Sequence, residues 1–143
     1  MSYKKWFLQH ASKHKAIVDT LSHLSDDEVI EYFEYEHMRQ KHPDFCPLYA
    51  KDKKCHDMDK LNCYLCACPY FRFDDDGLYQ ENGKIRYSVC FIEAKGREDF
   101  IKGDAIHQGC TRCTLPHQKS FVKKHFNRDW LEVMKSVMVS SKL

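Results

Sequence analysis

Eight cysteines and nine histidines stand out in a chain of 143 residues, and their spacing decides what chemistry they suit. Cys63-Tyr64-Leu65-Cys66 places two thiols two residues apart, with Cys68-Pro69 directly behind. Cys110-Thr111-Arg112-Cys113 repeats that spacing. Two thiolates so arranged can grip one ion from a single tight turn whose backbone N–H groups also face sulfur. Two such pairs in one small domain predict a thiolate-bound metal. The stretch between them is longer than the roughly 15–20 residues of a zinc ribbon, so a hairpin must be inserted there. Cys46-Pro47, Cys55-His56 and Pro116-His117 stand around the pairs. Cysteines that merely fill a core as small hydrophobes would not fall into two regular pairs within polar, turn-rich sequence.

The expected cofactor is zinc, which takes four-coordinate mixtures of thiolate and imidazole. His56, His107 and His117 all lie near cysteines. An iron–sulfur cluster is the alternative, because the Cys63, Cys66, Cys68-Pro69 run is compressed and carries a proline after one ligand. The candidate ligands are Cys55, Cys63, Cys66, Cys68, Cys110 and Cys113, followed by Cys46, His56 and His117. Cys90 falls on a predicted strand, opposite the face of Ile85, Tyr87, Val89 and Phe91, and reads as a packed thiol rather than a ligand.

These motifs resemble a known family, the cysteine-rich small domain, a zinc-finger-like module described as a probable metal binder. The matching residues are Lys54-Cys55-His56, Asn62-Cys63-Tyr64-Leu65-Cys66-Ala67-Cys68-Pro69-Tyr70 and Cys110-Thr111-Arg112-Cys113-Thr114-Leu115-Pro116-His117, within roughly residues 44–118. The resemblance implies metal binding through these cysteines. Family members carry a proline before the Cys-His pair and a further cysteine soon after the Cys-Pro. Here Lys54 and Arg72 stand near those places, and Cys46 is the expected replacement ligand.

The elements that must position these residues are legible in outline. Residues 3–24 predict a helix, with Trp6, Phe7, His10, His14, Ile17, Val18, Leu21 and Leu24 on one stripe. Ser25-Asp26-Asp27-Glu28 is a capping box for a second helix, which carries Val29, Ile30, Phe33 and His37 inward and stops before Pro43. Its acids, Asp26 to Glu36, form a solvated flank. Residues 78–95 predict a β-hairpin turning at Asn82-Gly83, and 96–109 show weak helical character near Ile106. Pro116 opens a return to helix with Phe121, Val122 and Phe126 on one side. Asn127 caps a last helix that faces Trp130, Leu131, Met134, Val137 and Met138 inward. The expected fold class is α+β. An N-terminal helical arm (1–43) and a C-terminal helical segment (119–143), packing on the same domain, flank a metal-organised, cysteine-rich module (44–118) with one hairpin.

Composition narrows the partners. Hydrophobic residues make up 43% and charged residues 31%, enough for a packed core. A net charge of +2 lacks the basic excess of a general nucleic-acid binder. The cluster Lys119, Lys123, Lys124, His125 and Arg128, near Trp130, keeps a nucleic-acid contact as a minor reading. No secretory start and no bilayer-length apolar run is present, so a cytoplasmic chain with reduced thiols and no membrane contact is expected. Asp74-Asp75-Asp76-Gly77 lacks the spaced oxygens of a calcium loop and reads as a turn. His10 and His14 lie one helical turn apart, but no third ligand is near, so they read as buried core histidines. No oxyanion-stabilising motif or phosphate loop appears, and an enzyme is the lesser expectation. The function that follows is a small metal-binding protein, with zinc in a structural role, contacting another protein. The alternative is an iron–sulfur protein for electron transfer, redox sensing or as accessory to a larger enzyme.

Overall fold

The first helix is started from both sides. In this computed structural model, which describes residues 2–91, 98–110 and 113–138, α1 spans Tyr3–Asp19 and its N-cap Ser2 accepts from the Lys5 amide. Asp75, far along the chain, accepts from the amides of Tyr3 and Lys4 at 3.2 and 2.9 Å, so two otherwise orphan N–H groups are satisfied. The acidic run is therefore a turn, as expected. Asp74 accepts from the Asp76 amide, and Gly77 sits at φ +102°, where a Cβ would meet Ile85 Cγ2 at 2.7 Å.

The helix ends at Asp19, short of the predicted Leu24. Residues 20–24 form turns instead, and Arg128 takes the exposed carbonyls of Leu21 and Leu24 at 3.2 and 2.6 Å. Leu21 is still buried. The capping box at Ser25 is present in both directions and opens α2 (Asp26–Tyr32). The helix predicted to run on toward Pro43 is broken: α3 (Tyr35–Lys41) starts afresh after Glu34. The break has a cause, since the Phe33 carbonyl accepts from Cys63 N–H and the Leu61 carbonyl from Tyr35 N–H. An uninterrupted helix would need those backbone groups for itself. Tyr35 and Met38 are the buried residues of α3, not His37, which is half-buried.

The predicted turn at Asn82-Gly83 joins β2 (Tyr79–Glu81) to β3 (Lys84–Arg86). Its burial pattern is the reverse of the one predicted. Ile85 and Phe91 are exposed, while Arg86, Ser88 and Cys90 are buried. Arg86 overrides the apolar alternation because all five of its N–H donors are used. Glu81 takes two (3.2 and 2.9 Å), Asp99 two (3.1 and 2.8 Å) and the Ser88 carbonyl one (3.1 Å). A buried guanidinium so paired costs far less than an unpaired one.

The chain then changes sheets. β4 (Ser88–Cys90) pairs antiparallel with β1 (Phe71–Phe73), placing Cys90 opposite Phe71. Residues 98–109, expected to be weakly helical, are instead strands β5 (Glu98–Lys102) and β6 (Ala105–Gly109). They complete a four-stranded sheet in the order β2-β3-β6-β5, with β3 and β6 parallel. Predicted hairpin residues 92–95 lie outside the described residues, as do Thr111, Arg112 and 139–143.

Pro116 lies in a 3-10 turn, Leu115–His117, ahead of α4 (Lys119–His125). The short α5 (Trp130–Val133) is capped by Asp129, not Asn127, and Leu131 faces outward. Asn127 instead accepts from the Asp129 amide. The acidic flank of α2 is not simply solvated. Glu31, Asp27 and Asp26 pair with Lys119, Lys123 and Arg128. Three of the cations read as a phosphate-contacting patch therefore face carboxylates of their own chain. One hydrophobic core runs from Phe7, Ile17 and Val18 of α1 through Ile30 to Phe121, Val122 and Trp130. Tyr64 and Leu65, inside the first Cys-x-x-Cys, are wholly buried in it. The fold class is α+β, as expected.

Candidate metal centre

The first Cys-x-x-Cys is anchored by Asn62, a side chain 1% exposed. Its amide donates to the Ile30 carbonyl (2.8 Å) and Glu34 (3.1 Å), while its Oδ1 accepts from the Tyr64 amide (2.9 Å). Its backbone is shared with His117: the Asn62 N–H donates to the His117 carbonyl at 3.0 Å, and His117 Nδ1 donates to the Asn62 carbonyl at 2.8 Å. An Asn whose oxygen accepts two residues ahead is a turn signature, so its local part is readable in sequence. The link to His117, 55 residues away, is not.

With Nδ1 committed to a carbonyl, the neutral His117 ring carries its lone pair on Nε2, 3.6 Å from Cys55 Sγ. Burial is the main reason its pKa falls to about 4, so the ring is neutral near pH 7. His56 repeats the arrangement with its nitrogens exchanged. Its Nε2 donates to the Cys110 carbonyl at 2.9 Å, and its Nδ1 lies 3.1 Å from the same Cys55 sulfur. A backbone carbonyl thus holds the far nitrogen of each ring and aims the near one at one thiol. That is how metal-ligating imidazoles are oriented. The ligand atoms of Cys55, His56 and His117 all lie within 4.8 Å of one another.

The remaining predicted ligands gather around this point without joining that tight set. All eight cysteines are described, and none is in a disulfide. Cys66 lines one cavity of about 250 Å³ together with Cys55, His56 and His117. Cys46 and Cys63 do not line it, but both act electrostatically on Cys66 and Cys55 acts with them. Burial pushes the Cys63 thiol up to about 12 against a nearby Tyr49 hydroxyl that favours its thiolate. Cys55 is an exposed residue that nonetheless borders the cavity, and desolvation followed by the influence of Cys46 raises its thiol to about 11. Without metal the Cys55, Cys63 and Cys66 thiols stay protonated near pH 7.

Cys68 keeps different company. Burial raises it to about 11, Cys90 and Cys113 add to the rise, and the backbone N–H groups of Tyr70 and Phe71 oppose it. Pro69 has no N–H to offer, so these two amides are the next available. Ala67 and Cys68 adopt left-handed backbone, φ +95° and +55°, which turns the chain sharply between Cys66 and Cys68. Positive φ on two successive non-glycine residues marks a segment held by its surroundings. The Cys113 N–H donates to the Cys110 carbonyl at 3.0 Å. Both line the same cavity, and so do Cys68 and Cys90. His107 is not at the cavity; its ring stacks on Tyr87.

His10 and His14 bring no third ligand. They are buried among Trp6, Phe33, Phe45 and Trp130, and His14 Nε2 donates to the Tyr64 carbonyl at 3.1 Å. Sequence reasoning missed Asn62 as a positioning residue and Gln108, whose Oε1 accepts from the Cys90 amide at 3.0 Å. Among the described residues no helix is long and apolar enough to cross a membrane. Compared with known proteins, the chain matches no family model, no curated protein and no solved structure.

Proposed function

We propose that this protein binds zinc through Cys55, His56 and His117, with Cys66 as fourth ligand, and that the ion has a structural role. The observation that carries the reading is the pair of imidazoles that each turn one nitrogen onto the same thiol and the other onto a backbone carbonyl. Mixed thiolate and imidazole donors favour zinc over an iron–sulfur cluster, which usually takes cysteines alone. Four protein ligands leave no open position for substrate, in keeping with a structural rather than catalytic ion. Ligation also ties Cys55-His56, the Cys66 loop and His117 together, so binding energy becomes folding energy.

Because Cys55 and Cys66 are raised by burial, metal uptake must displace their protons, and affinity falls as the solution is acidified. The resemblance of residues 44–118 to the cysteine-rich small domain family is proposed on its motifs alone and supports the same chemistry. A protein partner is supported by Phe100 and Ile101 on edge strand β5 and by Phe91, which are 58%, 56% and 66% exposed. A nucleic-acid partner is weakened by the pairing of Lys119, Lys123 and Arg128 with α2.

The test is elemental analysis and thermal melting of anaerobically purified protein. Cys55→Ser and His117→Ala should each lose one equivalent of zinc and melt well below the parent. Wild-type protein with only trace zinc, or either variant with full zinc content, would overturn the assignment.

A further inference from the structure

The cavity that Cys55, His56, His117 and Cys66 line has a second set of sulfurs. Cys68, Cys90, Cys110 and Cys113 border the same 250 Å³ space. We propose that these four thiols form a second, all-thiolate metal centre, with Cys90 as a ligand rather than a packing residue. The proposal shares its metal-binding premise with the zinc site above but uses none of that site's residues.

Four structural devices bring these sulfurs to one cavity from distant sequence. The β1–β4 register sets Cys90 opposite Phe71, three residues past Cys68. The Gln108 side chain bonds the Cys90 amide at 3.0 Å, and its own backbone amide donates to Ser88 Oγ at 2.8 Å, which fastens β4 to β6. β6 in turn ends at Gly109, directly before Cys110. The inserted strands therefore deliver Cys90 and Cys110 to the lining of the cavity. Cys68 reaches it through the left-handed backbone at Ala67 and Cys68.

Burial disfavours a bare thiolate here, so a bound cation has to supply the compensating charge, and the backbone helps. Cys68 precedes a proline and faces the Tyr70 and Phe71 amides, and N–H groups turned on sulfur are how such centres spread thiolate charge. Tyr3, Trp6 and Phe71 share the cavity lining and limit the access of water. Four thiolates and no imidazole suit either one zinc ion or an iron–sulfur cluster. The thiolate cage is common to both, and metal counting tells them apart.

The experiment counts zinc, iron and acid-labile sulfide per chain in anaerobically purified wild type, Cys90→Ser and Cys55→Ser. Cys90→Ser should lose one centre, either one of two zinc equivalents or all iron and sulfide, while the remaining zinc is kept. Cys55→Ser should lose only that remaining zinc. A Cys90→Ser protein with full wild-type content of all three elements overturns the second centre and leaves the first standing. A Cys90–Cys113 or Cys90–Cys68 disulfide in the native wild type, found by peptide mass mapping, overturns it as well. Should Cys90→Ser fail to fold, Cys90→His decides: it should keep the metal count and, after cobalt loading, show weakened thiolate-to-metal absorption. A cobalt spectrum identical to that of wild type rejects Cys90 as a ligand.

Discussion

Acid should weaken this fold through two histidines that have no part in metal binding. His10 and His14 are 4% and 0% exposed, and burial is the first cause of their low pKa values, about 4 and about 3 against an ordinary 6.5. Lys13 adds to the first shift and His10 to the second. Both rings are neutral in the folded chain, while the unfolded chain protonates them below 6.5. Stability is therefore complete above that value and is lost as the pH falls toward the folded pKa values. At about pH 5.5 each ring costs about 1.4 kcal/mol, against about 0.2 kcal/mol at about pH 7. Together they remove about 2.5 kcal/mol across that interval. With an unfolding entropy of about 0.3 kcal/mol/K for 143 residues, the melting temperature should drop by about 8 °C from this pair alone. His10→Phe isolates the effect, since His10 already stacks on Trp6 at 4.9 Å and its Nε2 has no hydrogen-bond partner among the described residues. Differential scanning fluorimetry of both proteins over the interval should show His10→Phe recovering about half that drop. Acid-induced metal release affects both proteins equally and cancels in the comparison. Parallel pH profiles for the two would refute the burial of a neutral ring at this position.

Ala67→Gly should stabilise the protein by roughly 0.5–1 kcal/mol, opposite in sign to the usual effect of glycine: relief of φ +95° is worth about 1–2 kcal/mol and the added chain entropy costs about 0.5–1 kcal/mol. Chemical denaturation checks this, with Ala67→Val expected to destabilise. Arg86→Ala should cost about 2–3 kcal/mol in the same assay. That is less than the 3–5 kcal/mol of a sealed ion pair, because Glu81 and Asp99 keep side-chain exposures of 35% and 45%. Amide exchange should show β2 and β5 opening first in that variant.

Local signals carried the helical half of the fold. The capping box at Ser25 needs only its own four residues, and the structure has it. The Asn82-Gly83 turn is equally local. What escaped was set by partners remote in sequence. The helix break at Phe33–Glu34 answers to Leu61 and Cys63, and the turns after α1 are held by Arg128 at the Leu21 and Leu24 carbonyls. The strand face was inverted because alternation counts apolar residues and cannot see that Glu81 and Asp99 satisfy Arg86. Strands β5 and β6 form a local hairpin whose turn signal, Gly103-Asp104, the weak helical reading passed over, while only the pairing of β6 with β3 joins residues twenty apart. At the site, Cys55-His56 and Pro116-His117 were visible as motifs, but their convergence depends on the carbonyls of Asn62 and Cys110, which no pattern of residue types records. The neighbourhood of Cys90 was likewise not readable, because it is made by strand pairing with β1.

A single residue, Ala67, separates Cys66 from Cys68, so in the two-centre arrangement one short peptide belongs to both metals. Whichever ion arrives first must fix that peptide, and the second then meets a partner already shaped for it. Thermodynamic linkage makes this help mutual. Filling one centre should therefore tighten the other, so a variant that lacks one centre should still fill the remaining one at saturating metal but release that ion to a chelator sooner than wild type does.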